Sequence, residues 1–242
     1  MNATVPWGND PSENCTMKFD GTDPCFVQWN ETGTGYYGEA AAPLSIRQRT
    51  RQSENEDIDI WMWGFAGFDI RGFYPGYSHP PPAPNTISMS MLRTQTPGDQ
   101  AQGAVTLRSA DPRDVPDIVF DWFQGEPGDR ELTALTESAE LLYRILAKSS
   151  GPQAPFTRVQ PGEGVDIRQN MMDESFGHHA SCSCRMGPVG SKDHCVDSQL
   201  RVNGVKGLRI VDGSVFPRVP GGFPQAPTYM MALRAADIIS PN

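Results

Sequence analysis

Thr86-Ile87-Ser88-Met89-Ser90-Met91 alternates polar and apolar residues without a break. A strand sends successive side chains to opposite faces, so Ile87, Met89 and Met91 must share one face. That face commits the chain to a sheet covered by another layer. A second extended run, Ile58-Asp59-Ile60-Trp61-Met62-Trp63, leads into an aromatic stretch ending at Tyr77, and the turn Pro80-Pro81-Pro82 separates the two. Ala104-Val105-Thr106-Leu107 and Asp117-Ile118-Val119-Phe120 read as further strands, joined through Ala110-Asp111-Pro112-Arg113-Asp114. Beyond Pro127 the period changes. Leu132, Leu135, Ala139, Leu142 and Leu146 recur at three- and four-residue steps, which predicts one amphipathic helix lying on the sheet.

Leu208-Arg209-Ile210-Val211 reads as a buried strand, and residues 227 to about 239 as a closing helix with Pro227 near its first turn. Strands followed by helices predict an α+β fold, a mainly antiparallel sheet with flanking helices and a C-terminal strand-helix piece. Three parts are expected: an extended, loop-rich wrapping segment over 1–57, an α+β domain over 58–170, and a C-terminal segment over 171–242. No internal repeat is visible.

The net charge of -9 argues against nucleic acid or an anionic membrane surface as partner. No apolar run approaches the length of a bilayer span. Met1-Asn2-Ala3-Thr4-Val5-Pro6-Trp7 has neither a basic nor an apolar leader region, so we expect no signal peptide and take the cytoplasm as default. The sequons Asn2-Ala3-Thr4, Asn14-Cys15-Thr16 and Asn30-Glu31-Thr32 hint instead at secretory ancestry. The 5 cysteines leave an odd thiol in the monomer. Cys15 and Cys25 flank a turn-rich segment that suits a local bridge in an oxidising compartment.

Gly33-Thr34-Gly35-Tyr36-Tyr37-Gly38 matches the dinucleotide fingerprint G-x-G-x-x-G. That motif needs a strand before it and a helix opening at its third glycine. The preceding Gln28-Trp29-Asn30-Glu31-Thr32 is polar and Pro43 follows, so we do not expect a phosphate here.

The chemistry concentrates in Gly177-His178-His179-Ala180-Ser181-Cys182-Ser183-Cys184-Arg185-Met186-Gly187. On an extended strand the adjacent histidines face opposite ways, so one can face a cavity while the other packs. Zinc is a rival explanation for the proximity of His178, His179, Cys182, Cys184, His194 and Cys195. Structural zinc favours Cys-x-x-Cys or His-x₃₋₅-His spacing, and Cys182-Ser183-Cys184 has neither. We expect no metal; a disulfide or a free thiol among the three cysteines remains open.

Taken in order with Leu208-Arg209-Ile210-Val211-Asp212-Gly213-Ser214-Val215-Phe216-Pro217 and Ala226-Pro227-Thr228-Tyr229-Met230-Met231-Ala232, this stretch resembles the C-terminal part of the glucose-methanol-choline (GMC) family of flavin oxidoreductases. The resemblance runs from about Thr32 to the end and is strongest after Gly177. It implies a substrate-binding domain over 58–170, and over 171–242 a catalytic segment with a remnant of the FAD-binding domain. The family motif His-x-x-Gly-Thr-x-x-Met-Gly places its His at His179, its Gly at Cys182 and its Thr at Ser183. His179 is thereby implied as the base that takes the alcohol proton while hydride leaves for the flavin. A neutral imidazole suits that task. His178, Ser183 and Arg185 are candidate helpers. Asp212 and Gly213 would approach the FAD ribityl-pyrophosphate, or Asp212 simply ends a strand; Pro227 and Thr228 would abut the isoalloxazine edge.

The sequence departs from the family pattern in two ways. The N-terminal nucleotide-binding unit is not represented, so we expect that FAD is not held by this chain alone. At the second catalytic position, usually His or Asn, stands Phe223, which can neither share a proton nor bind an alkoxide. The expected function is a GMC module that carries the base for a small-molecule substrate and needs a separate FAD-binding chain, or a homodimer partner. Such a module should expose a broad apolar docking surface. The alternative is a flavin-independent lyase, cyclase or isomerase. Trp61, Trp63, Phe65, Phe68, Phe73, Tyr74 and Phe223 favour an apolar or aromatic substrate where they are not simply core.

Overall fold

β3 (Ile60–Phe68) pairs antiparallel with β4 (Pro82–Arg93), setting Met62 opposite Met91 and Gly64 opposite Met89. The computed structural model describes residues 2–4, 15–16, 18, 20–38, 44–68, 82–94, 103–150, 156–177 and 179–240. They gather into two units, Met1–Ser175 and Phe176–Asn242. The aromatic run after Phe68, with Phe73 and Tyr74, lies outside the described residues, as does the triple proline up to Pro81.

In the first unit, β1 (Asn2–Thr4), β2 (Leu44–Gln48) and β7 (Thr157–Gln160) complete a five-stranded sheet of order β2-β3-β4-β1-β7, antiparallel throughout. α2 (Gly125–Lys148) lies across it and packs on α3 (Ile167–Glu174). Of the expected stripe, Leu132, Leu135, Ala139 and Leu142 are buried with Ala134 against Ile60, Met62 and Met89 in one core, with Met171 from α3, and Leu146 packs against it partly buried. Leu142, Ile60 and Met62 are fully buried. Each such side chain contributes about 1.5–3 kcal/mol. Glu126 in the first turn of α2 and Lys148 in its last complement the helix dipole.

The other face of β3 is aromatic. Trp61 and Trp63 lie 5.6 Å apart and Trp63 and Phe65 6.4 Å apart, while Trp61 Nε1 donates to Ser45 Oγ at 2.7 Å. The register sets these rings opposite Leu92, Ser90 and Ser88. A buried ion pair fixes the end of the sheet: Arg93 bonds the Asp59 carboxylate, which also accepts from Thr50 N at 2.7 Å. Removing one partner from such a pair costs about 3–5 kcal/mol because a charge is left buried.

The segment over 1–57 is less irregular than expected. It contributes β1 and β2 to the sheet and forms α1 (Pro24–Thr32). α1 has no apolar period, which is why sequence pattern misses it; it is made by its ends. Asp23 caps its N-terminus by accepting from Cys25 N, Pro24 occupies the first turn, and Gly33 closes it at φ 68. The fingerprint-like glycines therefore follow the C-terminal end of a helix, the end whose dipole repels phosphate. Cys15 and Cys25, which suit a local bridge, do form a disulfide.

β5 (Ala104–Thr106) and β6 (Asp117–Val119) pair as a separate two-stranded ribbon, close to their expected bounds. Val105, Leu107, Val115, Ile118, Val119 and Phe120 on and around it are all exposed. A lone two-stranded ribbon is marginal in water.

The second unit contains α4 (Gln225–Ile239), beginning slightly before the expected start. Its core is Val196, Leu200, Val215 and Ala235 with the Cys184–Cys195 disulfide at its edge. The expected buried strand at Leu208-Arg209-Ile210-Val211 is not formed. Only an isolated bridge, Arg201 to Arg209, occurs there, and Leu208 and Val211 are exposed. Among the described residues no neighbouring strand offers this stretch a ladder, so its apolar pattern is not matched by pairing.

Asp23 is buried, and burial raises its carboxyl pKa. Hydrogen bonds from Tyr37 Oη at 2.6 Å and from the N–H groups of Thr16, Cys25 and Phe26 outweigh that and leave it below its ordinary value of 3.8. A depressed folded-state pKa gives stability that is present above 3.8 and lost as pH falls through the folded value. Asp23→Asn should therefore be less stable than the parent at pH 7 in chemical denaturation, with the difference shrinking below pH 3.8.

Candidate functional site

Backbone hydrogen bonds bring the three C-terminal motifs together. Cys182 N donates to Gly213 O at 3.2 Å, Cys184 N to Ser214 O at 2.9 Å and Met186 N to Val215 O at 2.9 Å. The His179 segment is thereby laid along the short 3-10 turn at Gly213–Val215, whose Val215 is buried in the unit's core. At Gly213 an added Cβ would lie 3.4 Å from Ala180 O and 3.8 Å from Thr228 Oγ1, ordinary contact distances that set Gly213 beside both the His179 segment and Thr228.

His179 and Thr228 line a cavity of about 570 Å³ with Phe223, Pro224, Gln225, Tyr229 and Ala232. A volume of this order suits a small organic molecule. The His179 and Phe223 rings meet edge-on with centroids 5.3 Å apart. Ser181 Oγ donates to His179 O at 2.7 Å, which helps fix the local backbone. Thr228 Oγ1 donates to Pro224 O at 2.8 Å. Gln225, Thr228, Tyr229 and Ala232 recur at i, i+3, i+4 and i+7, one face of α4. That spacing was present in the sequence, yet only Thr228 had been singled out from it; Pro224, Gln225, Tyr229 and Ala232 were missed.

Other candidates stand elsewhere. His178 lies outside the described residues. Ser183 is exposed in a turn, and neither it nor Arg185 lines the cavity. Asp212 is exposed and caps the 3-10 turn by accepting from Ser214 N at 2.8 Å. Pro227 sits in the first turn of α4 but not on the cavity wall.

Cys182-Ser183-Cys184 runs through a turn, with Cys182 at φ 66. Cys184 bonds Cys195, and Cys182 is the free thiol among the described cysteines. Two of the sulfurs considered for zinc are thus bonded to each other. Among the described residues no group of His, Cys, Asp and Glu is arranged to hold a metal. Burial pushes the Cys182 thiol pKa above its ordinary value, and the positive charge of Arg185 opposes this.

A left-handed backbone explains why a glycine suits the position of Cys182, since a Cβ there costs about 1–2 kcal/mol. Cys182→Gly should be about 1–2 kcal/mol more stable than Cys182→Ala in denaturant titration. Both variants lack the thiol, so the difference isolates the strain.

The apolar wall of Phe223, Pro224 and Ala232, with the Thr228 hydroxyl and the Gln225 amide, would suit the edge of a flavin ring. No Lys or Arg stands among the cavity-lining residues to meet a pyrophosphate.

Comparisons with known proteins show the family. The family model for GMC oxidoreductase matches residues 99–232. Oxygen-dependent choline dehydrogenase of Vibrio vulnificus is 36% identical over 145 residues, 58% of this chain and 25% of that protein. The mitochondrial choline dehydrogenase of Mus musculus is 30% identical over 224 residues, 81% of this chain and 37% of that protein. The crystal structure of formate oxidase aligns with 98% of this chain and 44% of its own, with a TM-score of 0.74 at 20% identity. The chain thus spans a quarter to less than half of the length of these proteins. It belongs to the GMC oxidoreductase family, as that family's C-terminal module.

Proposed function

We propose that this chain is the substrate-side, base-carrying module of a GMC flavoenzyme acting on a CH–OH group. The meeting of His179 and Thr228 on one cavity wall, with Gly213 packed beside Thr228, carries this reading. Among the lining residues His179 carries the one imidazole, the side-chain type suited to general-base chemistry. Its imidazole takes the hydroxyl proton of the alcohol, leaving electron density on oxygen that expels hydride from carbon. FAD, when bound, supplies the hydride acceptor. Phe223, Pro224 and Ala232 give the wall beside His179 an apolar surface, and Gln225 offers an amide where Phe223 offers none.

Holding FAD requires a second lobe, supplied either by more of this polypeptide or by another chain. The surface supports this. α4 buries Met231, Ala235 and Ile238 on its inner side while Tyr229, Met230 and Leu233 stand 66%, 71% and 72% exposed. A helix apolar on both sides is normally covered on both. The exposed ribbon of β5 and β6 has the same need. The formate oxidase structure extends well beyond the part matched here, so a flavin-binding lobe of this family is the fitting occupant.

Phe223 favours a second reading. With a phenyl ring against His179 where the family carries His or Asn, the cavity suits proton transfer on an apolar or aromatic molecule without redox chemistry.

The test is the rate at which candidate alcohols reduce flavin when this chain is combined with a flavin-loaded GMC nucleotide-binding lobe. His179→Ala should lower that rate by about 10²–10⁴-fold. An unchanged rate would remove His179 as the base. Turnover of a substrate by the chain without any flavin, lost in His179→Ala, would establish the second reading instead.

A further inference from the structure

Two disulfides and one exposed sequon remain outside the chemistry of the cavity. Cys15–Cys25 and Cys184–Cys195 close loops of sequence separation 10 and 11, one in each unit. Such bonds persist in oxidising compartments and are rare where glutathione and thioredoxin keep thiols reduced. The compartment that forms them in eukaryotic cells is also where Asn-x-Ser/Thr is glycosylated.

We propose that Asn30 carries an N-linked glycan and that the chain matures in such a compartment. Asn30 is exposed near the end of α1, as are Glu31 and Thr32. The same short helix begins at the Cys15–Cys25 disulfide, so sequon and disulfide belong to one surface element. The other sequons accommodate a finished glycan less well in the folded chain. Asn2-Ala3-Thr4 is β1, hydrogen-bonded between β4 and β7 inside the sheet. Asn14-Cys15-Thr16 has its middle residue bonded to Cys25, and Asn14 lies outside the described residues.

Thr32 Oγ1 donates to Gln28 O at 2.7 Å in the folded helix, which removes its proton from the sequon. Modification therefore precedes closure of α1. The Asn30 amide nitrogen attacks C1 of a lipid-diphosphate oligosaccharide. A C–N bond forms as the C–O bond to diphosphate breaks; one amide proton is released and the lipid diphosphate leaves. The exposed position of Asn30 leaves the finished glycan in solvent, away from the core of α2 and the sheet.

The test uses the full chain isolated from the cells that make it. Free thiols are alkylated without reduction, and peptides are mapped after enzymatic deglycosylation in heavy-oxygen water. We expect Asn30 converted to heavy-oxygen-labelled Asp, with loss of the label in Asn30→Gln and Thr32→Ala and its retention in Thr32→Ser. Among the cysteines only Cys182 should be alkylated. An unlabelled Asn30 in protein whose disulfides are closed would overturn the glycan. Alkylation of Cys15, Cys25, Cys184 and Cys195 would overturn the compartment.

Discussion

The three backbone hydrogen bonds from Cys182, Cys184 and Met186 to Gly213, Ser214 and Val215 govern the candidate site. Through them the His179 segment is held by a turn that is itself anchored in the core by Val215. The Cys184–Cys195 disulfide secures the same segment from its other side. His179 thus owes its position to backbone geometry set several residues away. The left-handed Cys182 is the bend that lets the chain leave His179 and join the turn. Strain of this kind persists where surrounding bonds over-determine the backbone, and it clusters near working residues.

α4 links site and surface. Its opening turn, with Gln225, Thr228 and Tyr229, walls the cavity, while Ala235 seats it on the core and Met230 and Leu233 stand in solvent. One helix therefore places the cavity beside the surface that we assign to a flavin-binding lobe. A lobe docked on α4 would close over the same residues that line the cavity. Binding of that lobe and completion of the site would then be one event.

The sheet and its covering helix were legible because burial enforces period: Ile87, Met89 and Met91 on one side of β4, and Leu132 to Leu142 along α2. α1 was not, because a nine-residue helix made by Asp23, Pro24 and Gly33 leaves no apolar stripe. The apolar Leu208-Arg209-Ile210-Val211 misled because pattern reports the wish for burial, while the pairing partner is a matter of tertiary structure. At the site, His179, Phe223 and Thr228 were visible through family resemblance. Pro224, Gln225, Tyr229 and Ala232 were overlooked because a cavity wall is defined by the helix face presented to it, and motif matching does not register faces. Asp212, conspicuous in its motif, caps the 3-10 turn.

Flavin retention tests the account most directly. The chain is mixed with FAD, passed through a desalting column, and its visible spectrum recorded, alone and together with a GMC nucleotide-binding lobe. The account predicts a colourless chain alone and a flavin band co-eluting with this chain when the lobe is present. A flavin band retained by the chain alone would contradict it.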